Sequence, residues 1–202
     1  MFTGIVTDLG EVRSVSQRAG DLRRLTIFCG YSRAEINQGA SIACSGVCLT
    51  VVDAGEEDGR AWFAVDAAAE TLHVTTAGRW RHGSKINLER PLKFGDELGG
   101  HLVAGHVDGI TTVVAREDMA DMARFVLRAP AGLARFIAPK GSLALDGVSL
   151  TVNAVEADTF SVLVIPHTLR ATTFGPLRKD DDVNLEVDTM DRYAARLMEM
   201  QR

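Results

Sequence analysis

The chain contains one short stretch twice, and this duplication restricts its fold more than any other feature. Residues 46–51 read Gly-Val-Cys-Leu-Thr-Val and residues 147–152 read Gly-Val-Ser-Leu-Thr-Val, each behind a Ser-x-Ala-x-x-Gly run that begins at Ser41 and Ser142. Self-similarity at a long fixed shift means two copies of one structural unit, and missing it would misread the whole fold. At the shift of 101 that superposes the motifs, Gly4 meets Gly105, Val6 meets Val107, Val12 meets Val113, Arg23 meets Arg124, Ile36 meets Ile137 and Ala43 meets Ala144. Beyond the motif the shift becomes 97. There Phe63 meets Phe160, Val65 meets Val162, and Asn87-Leu88-Glu89 meets Asn184-Leu185-Glu186. The difference of four residues is expected in the acidic, Gly-containing segment 54–60, where a turn absorbs an insertion without disturbing its strands.

A chain of 202 residues accommodates two such modules, each near the usual size of a single-core domain. A net charge of −5 argues against a phosphate-backbone partner, so no nucleic acid is expected. Arg13, Arg18, Arg23 and Arg24 are scattered among polar residues and read as solvated surface. No apolar run approaches the ~18 residues that span a membrane, and the first residues lack a charged-then-apolar signal pattern. The expectation is a soluble, cytoplasmic protein. Its three cysteines, Cys29, Cys44 and Cys48, are odd in number and confined to one module, unlike a disulfide framework. Cys44 and Cys48 with His101 and His106 would make an incomplete metal site, since no second close ligand pair accompanies them.

Short runs of strand formers punctuated by glycine recur along both modules. In the first they are residues 1–12, 22–29, 41–53 with a bend at Gly46, 61–66 and 85–89. In the second they are residues 102–114, 123–127, 142–155, 160–165 and 182–187. Many short strands at regular spacing predict a closed or nearly closed antiparallel barrel. Residues 71–77 read as a helical turn or a loop, and 132–137 as a short helix ended by Pro139. Residues 90–100 are a crossover. The tail, 191–202, predicts a helix capped by Asp191 with Tyr193, Ala194, Leu197, Met198 and Met200 at helical spacing. So short an amphipathic helix needs a partner surface, either its own barrels or copies of itself.

These residues carry a resemblance that covers the whole chain. The start Met1-Phe2-Thr3-Gly4-Ile5, the Gly- and His-rich segment 99–109, the paired six-residue motifs, and Ile165-Pro166-His167-Thr168-Leu169 together resemble the riboflavin synthases of alpha-chain type, a lumazine-binding repeat family. The resemblance implies an all-β fold of two tandem six-stranded antiparallel Greek-key barrels, residues 1–100 and 101–189, plus a C-terminal α-helix, 190–202, that holds a homotrimer. It implies a transferase in which two molecules of 6,7-dimethyl-8-ribityllumazine exchange a four-carbon unit. The products would be riboflavin and 5-amino-6-ribitylamino-2,4-pyrimidinedione. No cofactor and no metal would be needed, because the ring stabilises the carbanion left when a methyl group loses its proton. Association with lumazine synthase is a further implication. The rival reading is a non-catalytic lumazine- or flavin-binding antenna protein of the same fold. A flavin-reductase barrel is disfavoured, since the chain has no Gly-x-Gly-x-x-Gly after a strand.

The resemblance also implies site residues. For the first barrel these are Gly4, Ile5 and Val6; Cys48, Leu49 and Thr50; and Asp66, Ala67, Ala68, Ala69, Glu70 and Thr71. For the second they are Gly105, His106 and Val107; Lys140; Ser149, Leu150 and Thr151; and Leu163, Val164, Ile165, Pro166, His167 and Thr168. A flat heteroaromatic ring needs a slot with backbone donors and acceptors at its edge, and a ribityl chain needs hydroxyl and carboxylate partners such as Thr50 and Glu70. Leu49, Val6 and Val107 serve equally as barrel core. Cys48 stands where the second module has a serine, and a thiol titrating near ~8.5 suits a proton acceptor or nucleophile. His101 and His106 are candidate acid or base. Ser41, Asp146, Ser149 and Thr151 are candidate polar catalytic partners, with Ser45 at the position equivalent to Asp146. Phe2 is placed to stack on a ring or to fill a core. His167 stands where the first module has Glu70, a glutamate common in the family, and Ala67 to Ala69 are bare for a pocket segment.

Overall fold

Alternation of apolar and polar residues builds the strands of a computed structural model that describes residues 1–200. In β2 (Arg23–Cys29), Leu25, Ile27 and Cys29 turn inward while Arg24, Thr26 and Phe28 face out. The other strands of the first module are β1 (Asp8–Gln17), β3 (Ser41–Cys44), β4 (Val47–Glu57), β5 (Arg60–Ala67) and β6 (Lys85–Glu89). They close into a barrel in the order β1-β2-β5-β4-β3-β6. The long return from β2 to β3 passes through a 3₁₀ turn at Arg33–Glu35 and makes the topology a Greek key. The second module repeats this with β7 (Gly109–Met119), β8 (Met122–Arg128), β9 (Ser142–Leu145), β10 (Val148–Glu156), β11 (Thr159–Val164) and β12 (Asp182–Val187). Its ring reads β7-β8-β11-β10-β9-β12, closed in the same sense.

Each barrel has its own core. Val12, Leu25, Ile27, Phe63, Val65, Ile86 and Leu88 fill the first; Val113, Phe125, Leu127, Phe160, Val162 and Leu185 fill the second, where Phe125 and Phe174 meet edge to face at 5.4 Å. At roughly 1.5–3 kcal/mol per fully buried large side chain, these inward faces dominate the stability of each barrel. Register shifts lie at equivalent places, after Val12 and Val51 in the first barrel and after Val113 and Val152 in the second. Such bulges sharpen the twist that closure requires.

Several expectations change in detail. The four extra residues of the first module do not sit in a turn. Both hairpins turn over two residues, and β4 and β5 are each two residues longer than β10 and β11 beyond the common pairs Val51–Val65 and Val152–Val162. Residues 1–7 and 102–108 are not strands of their own barrels; β1 begins at Asp8 and β7 at Gly109. The equivalent of Arg124 is Arg24 rather than Arg23, because Arg24 faces Asp66 as Arg124 faces Leu163. Arg13 and Arg24 are ion-paired, with Glu57 and Asp66, and Arg23 donates to the Gly78 carbonyl. Segment 71–77 contains most of α1 (Ala69–Val74), and its counterpart is α2 (Pro166–Ala171). The short helix at 132–137 is a 3₁₀ turn, Ala134–Phe136. The tail helix α3 (Thr189–Glu199) is capped by Asp188, whose carboxylate accepts from the Met190 amide at 2.9 Å; Asp191 lies inside the first turn. Residues 201–202 of the predicted tail lie outside the described residues.

The barrels pack about an approximate twofold axis that runs through the repeated motif itself. Gly46 and Gly147, both with φ near 80°, meet back to back; a Cβ on Gly46 would lie 2.8 Å from the Gly147 nitrogen. Around that contact, Asn87 of β6 donates to the Asp146 carbonyl at 2.9 Å, and Asn184 of β12 donates to the Ser45 carbonyl at 2.8 Å. The same asparagines accept from the amides of Thr173 and Thr76 at 2.8 and 2.7 Å. Four reciprocal bonds in a buried seam leave no polar group of either amide idle.

Candidate functional site

The segments ahead of β1 and β7 are arms, and each reaches the opposite barrel. Phe2 and Val103 pair as an isolated antiparallel bridge on the axis, with bonds of 2.8 and 3.0 Å. Beyond the bridge the arms diverge. The Gly4 carbonyl accepts from the Ser149 amide of β10, and the Gly105 carbonyl accepts from the Cys48 amide of β4, both at 2.8 Å. Val6 packs on the core of the second barrel and Val107 on that of the first. The sites are therefore composed crosswise. Gly4, Ile5 and Val6 stand beside Ser149, while Gly105, His106 and Val107 stand beside Cys48, the reverse of the expected assignment. The reason lies in the glycines: at φ 77° and 79° they turn the arm over the facing strand, and a Cβ there would sit 2.5 Å from Ser149 Cβ or 2.7 Å from Cys48 Cβ.

Two buried carboxylates anchor the arms. Glu89, ending β6, accepts from the Thr3 amide and hydroxyl at 2.6 and 2.7 Å and from the Gly4 amide at 2.9 Å. Glu186, on β12, accepts from the amides of Ala104 and Gly105 at 2.7 and 2.9 Å. Burial raises both carboxyls, and the amide donors pull them back. Neither glutamate was singled out from sequence as functional. The signal that could have found them is the repeated Asn-Leu-Glu, a polar and a charged residue flanking one core leucine in a short strand.

At the site next to the first barrel, Cys48 is the thiol that remains partly open, set against Phe2, Ala43 and Val103. Cys29 and Cys44 are buried, and burial pushes the Cys29 thiol up to about 11 and that of Cys44 higher. Thr50 lies exposed two residues along β4 and pairs with Ser41 of β3. Leu49 belongs to the barrel core. His106 is exposed beside Gly105. Ala68, Ala69 and Glu70 are exposed around the start of α1, with Thr71 half-buried and Ala67 buried.

At the site next to the second barrel, His101 Nδ1 and Ser149 Oγ share a hydrogen bond of 2.7 Å, and the His101 amide donates to the Thr3 carbonyl at 3.1 Å. Burial lowers the His101 imidazole below its usual range, which keeps it neutral and able to take a proton at neutral pH. Thr151 is exposed opposite Ser142, and Leu150 is half-buried against the core. Ile165 and His167 are exposed and Leu163, Pro166 and Thr168 half-buried around the start of α2, with Val164 buried. Lys140 is exposed, with φ 69°, where the first module has Gly39 at 82°. A lysine held in the left-handed region costs conformational energy that glycine avoids, so the two sites share this backbone turn and differ in the side chain it carries.

Three candidates are placed elsewhere. Asp146 is buried in the β9–β10 turn on the twofold seam, where its Oδ1 accepts from the Asn184 amide at 2.8 Å; Ser45 holds the matching turn. The Asp146 carboxyl is turned onto β12 of its own barrel and its backbone carbonyl meets Asn87 of the other. Phe2 is 0% exposed between the barrels, so its ring has no face to offer a ligand. Asp66 is gripped by Nε and one Nη of Arg24 at 2.8 and 2.7 Å, which engages both carboxylate oxygens in an ion pair and holds the carboxyl below the usual range. Among the described residues no His, Cys, Asp and Glu cluster could hold a metal ion.

A family model described as the lumazine binding domain matches twice, over residues 3–91 and 104–188. The chain is 55% identical to the riboflavin synthase of Brucella abortus over 100% of both chains. It is 44% identical to that of Mycobacterium bovis over 98% of both, and 36% identical to that of Bacillus subtilis over 98% of this chain and 90% of the relative. Among solved structures it resembles LumP complexed with riboflavin, at a TM-score of 0.83 and 25% identity, over 94% of this chain and 100% of that one.

Proposed function

The chain belongs to the riboflavin synthases of the lumazine-binding family, and on that premise we propose how its two sites divide the reaction. As a riboflavin synthase it is a transferase of riboflavin biosynthesis. Two molecules of 6,7-dimethyl-8-ribityllumazine exchange a four-carbon unit, giving riboflavin and 5-amino-6-ribitylamino-2,4-pyrimidinedione. The observation that carries the division is the crosswise pairing of arm and strand, which makes two sites alike in backbone and different in chemistry. One offers a thiol at Cys48, the other a neutral imidazole and hydroxyl at His101 and Ser149.

A ring methyl must lose a proton and the resulting carbon nucleophile must attack the second ring. His101, hydrogen-bonded to Ser149, takes the methyl proton from the lumazine held by the second barrel. Cys48 polarises the lumazine held by the first, and the open carbonyls and amides of the arms hold the ring edges. His106 and Lys140, both exposed at their sites, meet the ribityl hydroxyls together with Thr50, Thr151 and Glu70.

Reacting atoms must come within ~3–3.5 Å. Within one chain the sites open apart: Gly4 and Gly105 lie at opposite ends of the bridge, separated by about four residue rises of ~3.4 Å, or ~14 Å. The second lumazine therefore comes from a neighbouring copy. Helix α3 supports assembly, since Met190, Tyr193, Leu197 and Met200 follow the seven-residue spacing of a helical seam and stay 62–73% exposed in the single chain. A homotrimer held by three such helices is part of the proposal. So is a cytoplasmic location: no described helix is long and apolar enough to cross a membrane, and all three cysteines are free. Lumazine synthase would be the associated supplier of substrate.

The test is to mix the purified protein with 6,7-dimethyl-8-ribityllumazine alone, in buffer containing a chelator, and quantify both products. Equal riboflavin and pyrimidine, with two lumazines consumed per riboflavin, is the expected result. Tight binding without turnover would place the chain with the antenna-type proteins.

A further inference from the structure

Each arm that frames a site is fixed by a carboxylate from the barrel whose own strand motif it leaves behind. Thr3 and Gly4 are held by Glu89 of the first barrel, yet the Gly4 carbonyl serves Ser149 and the Thr3 carbonyl serves His101, both at the site of the second. Ala104 and Gly105 are held by Glu186 of the second barrel, yet the Gly105 carbonyl serves Cys48 in the first. Both carboxylates are almost wholly buried, with their oxygens turned onto the arm amides. A buried acceptor cannot release its amides without leaving them unsatisfied, so beside the bridge and the strand contacts one side chain fixes the backbone donors of each arm.

We propose that Glu89 and Glu186 are positioning residues wired crosswise: Glu89 sets the His101–Ser149 site of the second barrel, and Glu186 sets the Cys48 site of the first. The anchors are unequal. Glu89 receives a third bond from the Thr3 hydroxyl, which in turn accepts from the Ile5 amide at 3.2 Å, whereas Ala104 offers no side-chain bond. The arm at the His101 site is the more firmly held, and the arm at Cys48 has more freedom to adjust around its ring. The proposal rests on the assignment of the two sites as lumazine pockets, but its geometry is testable without turnover.

The experiment uses the full-length protein and two local reporters. Cys48 is followed by its rate of alkylation with iodoacetamide under native conditions, read by mass spectrometry; Cys29 and Cys44 are shielded by burial. His101 is followed by the NMR shifts of its ring nitrogens. Glu186→Gln turns an N–H donor toward the arm amides, so it should change the Cys48 rate several-fold while leaving the His101 signals in place. Glu89→Gln should move the His101 signals and leave the Cys48 rate unchanged. Both variants should lower kcat/KM, on the order of 10–100-fold for an ångström of displacement. Circular dichroism checks folding; should either glutamine variant fail to fold, Glu186→Asp and Thr3→Val give milder forms of the same two perturbations. A change confined to the same barrel as the substitution, an equal change at both reporters, or no change at either would overturn the crosswise wiring. Loss of turnover with the crossed pattern intact would instead count against the catalytic assignment alone.

Discussion

Asp146 shows how a single side chain ties the seam between the barrels to pH. Burial pushes its carboxyl up to about 7, against one amide bond from Asn184 that lowers it. Its folded pKa lies above its unfolded value, so the folded state binds the extra proton. Stability from this group is then fully present below about pH 4 and is lost as pH rises to about 7. The shift of about three units corresponds to at most about 4 kcal/mol. Asp146→Asn keeps the acceptor for Asn184 and tolerates the φ of 44°, so thermal unfolding should move to higher temperature at pH 8 and change little at pH 4. An unchanged melting temperature at pH 8 would show that the seam does not depend on this proton. Cys48 has a different kind of weight, because it is the one cysteine with an open face. Cys48→Ser should lower kcat by at least about tenfold with little change in KM, since it keeps the small polar shape and removes the thiol; steady-state kinetics with the lumazine decide it. The sequence pointed to Cys48 and to His101 because both break a repeat or crowd against glycine. It misdirected Asp146, since a carboxylate in a repeated turn looks the same whether that turn faces a ligand or another turn.

At the scale of elements, periodicity placed the strands well and their ends less well. β2 was legible from its run of strand formers, Leu25 to Phe28, and β5 from its near-alternation, broken only where Phe63, Ala64 and Val65 are all buried. Residues 1–7 and 102–108 have strand-like composition yet pair mainly with the opposite module, and no local pattern distinguishes an arm from a first strand. The C-terminal helix is the opposite case, legible in sequence and unexplained within one chain. Its barrel side is fixed by Arg192 to Asp108 at 2.6 Å and by Arg135 to Glu199 at 2.5 Å. Arg135 and Glu199 are exposed and their pair contributes only about 0–1 kcal/mol, whereas the Asp108 side chain is buried; both pairs lie within one chain, so in the proposed trimer the apolar stripe would supply the association energy. Deleting residues 191–202 should leave both barrels folded, convert the proposed trimer to monomer on size-exclusion chromatography, and abolish turnover together with it. A fully active monomer would remove the site between copies.

For the whole molecule, a long shift in the sequence announced two barrels, but it could not say that they would exchange arms. A repeat reports which residues correspond, whereas which copy of a segment packs on which barrel depends on closure around an axis that no pairwise comparison contains. That exchange fixes how the two sites point, and it yields the sharpest test of the assembly. If catalysis joins the first barrel of one copy to the second barrel of its neighbour, damage to one site in one chain can be compensated by damage to the other site in another. Cys48→Ala and Ser149→Ala proteins, each inactive alone, should recover activity when dissociated, mixed in equal amounts and reassembled. Random pairing leaves an intact Cys48 facing an intact Ser149 in about a quarter of the interfaces of a cyclic trimer, so about a quarter of the wild-type rate is expected. Were both halves of the reaction instead performed within one chain, every chain in the mixture would lack one half, and mixing would restore nothing.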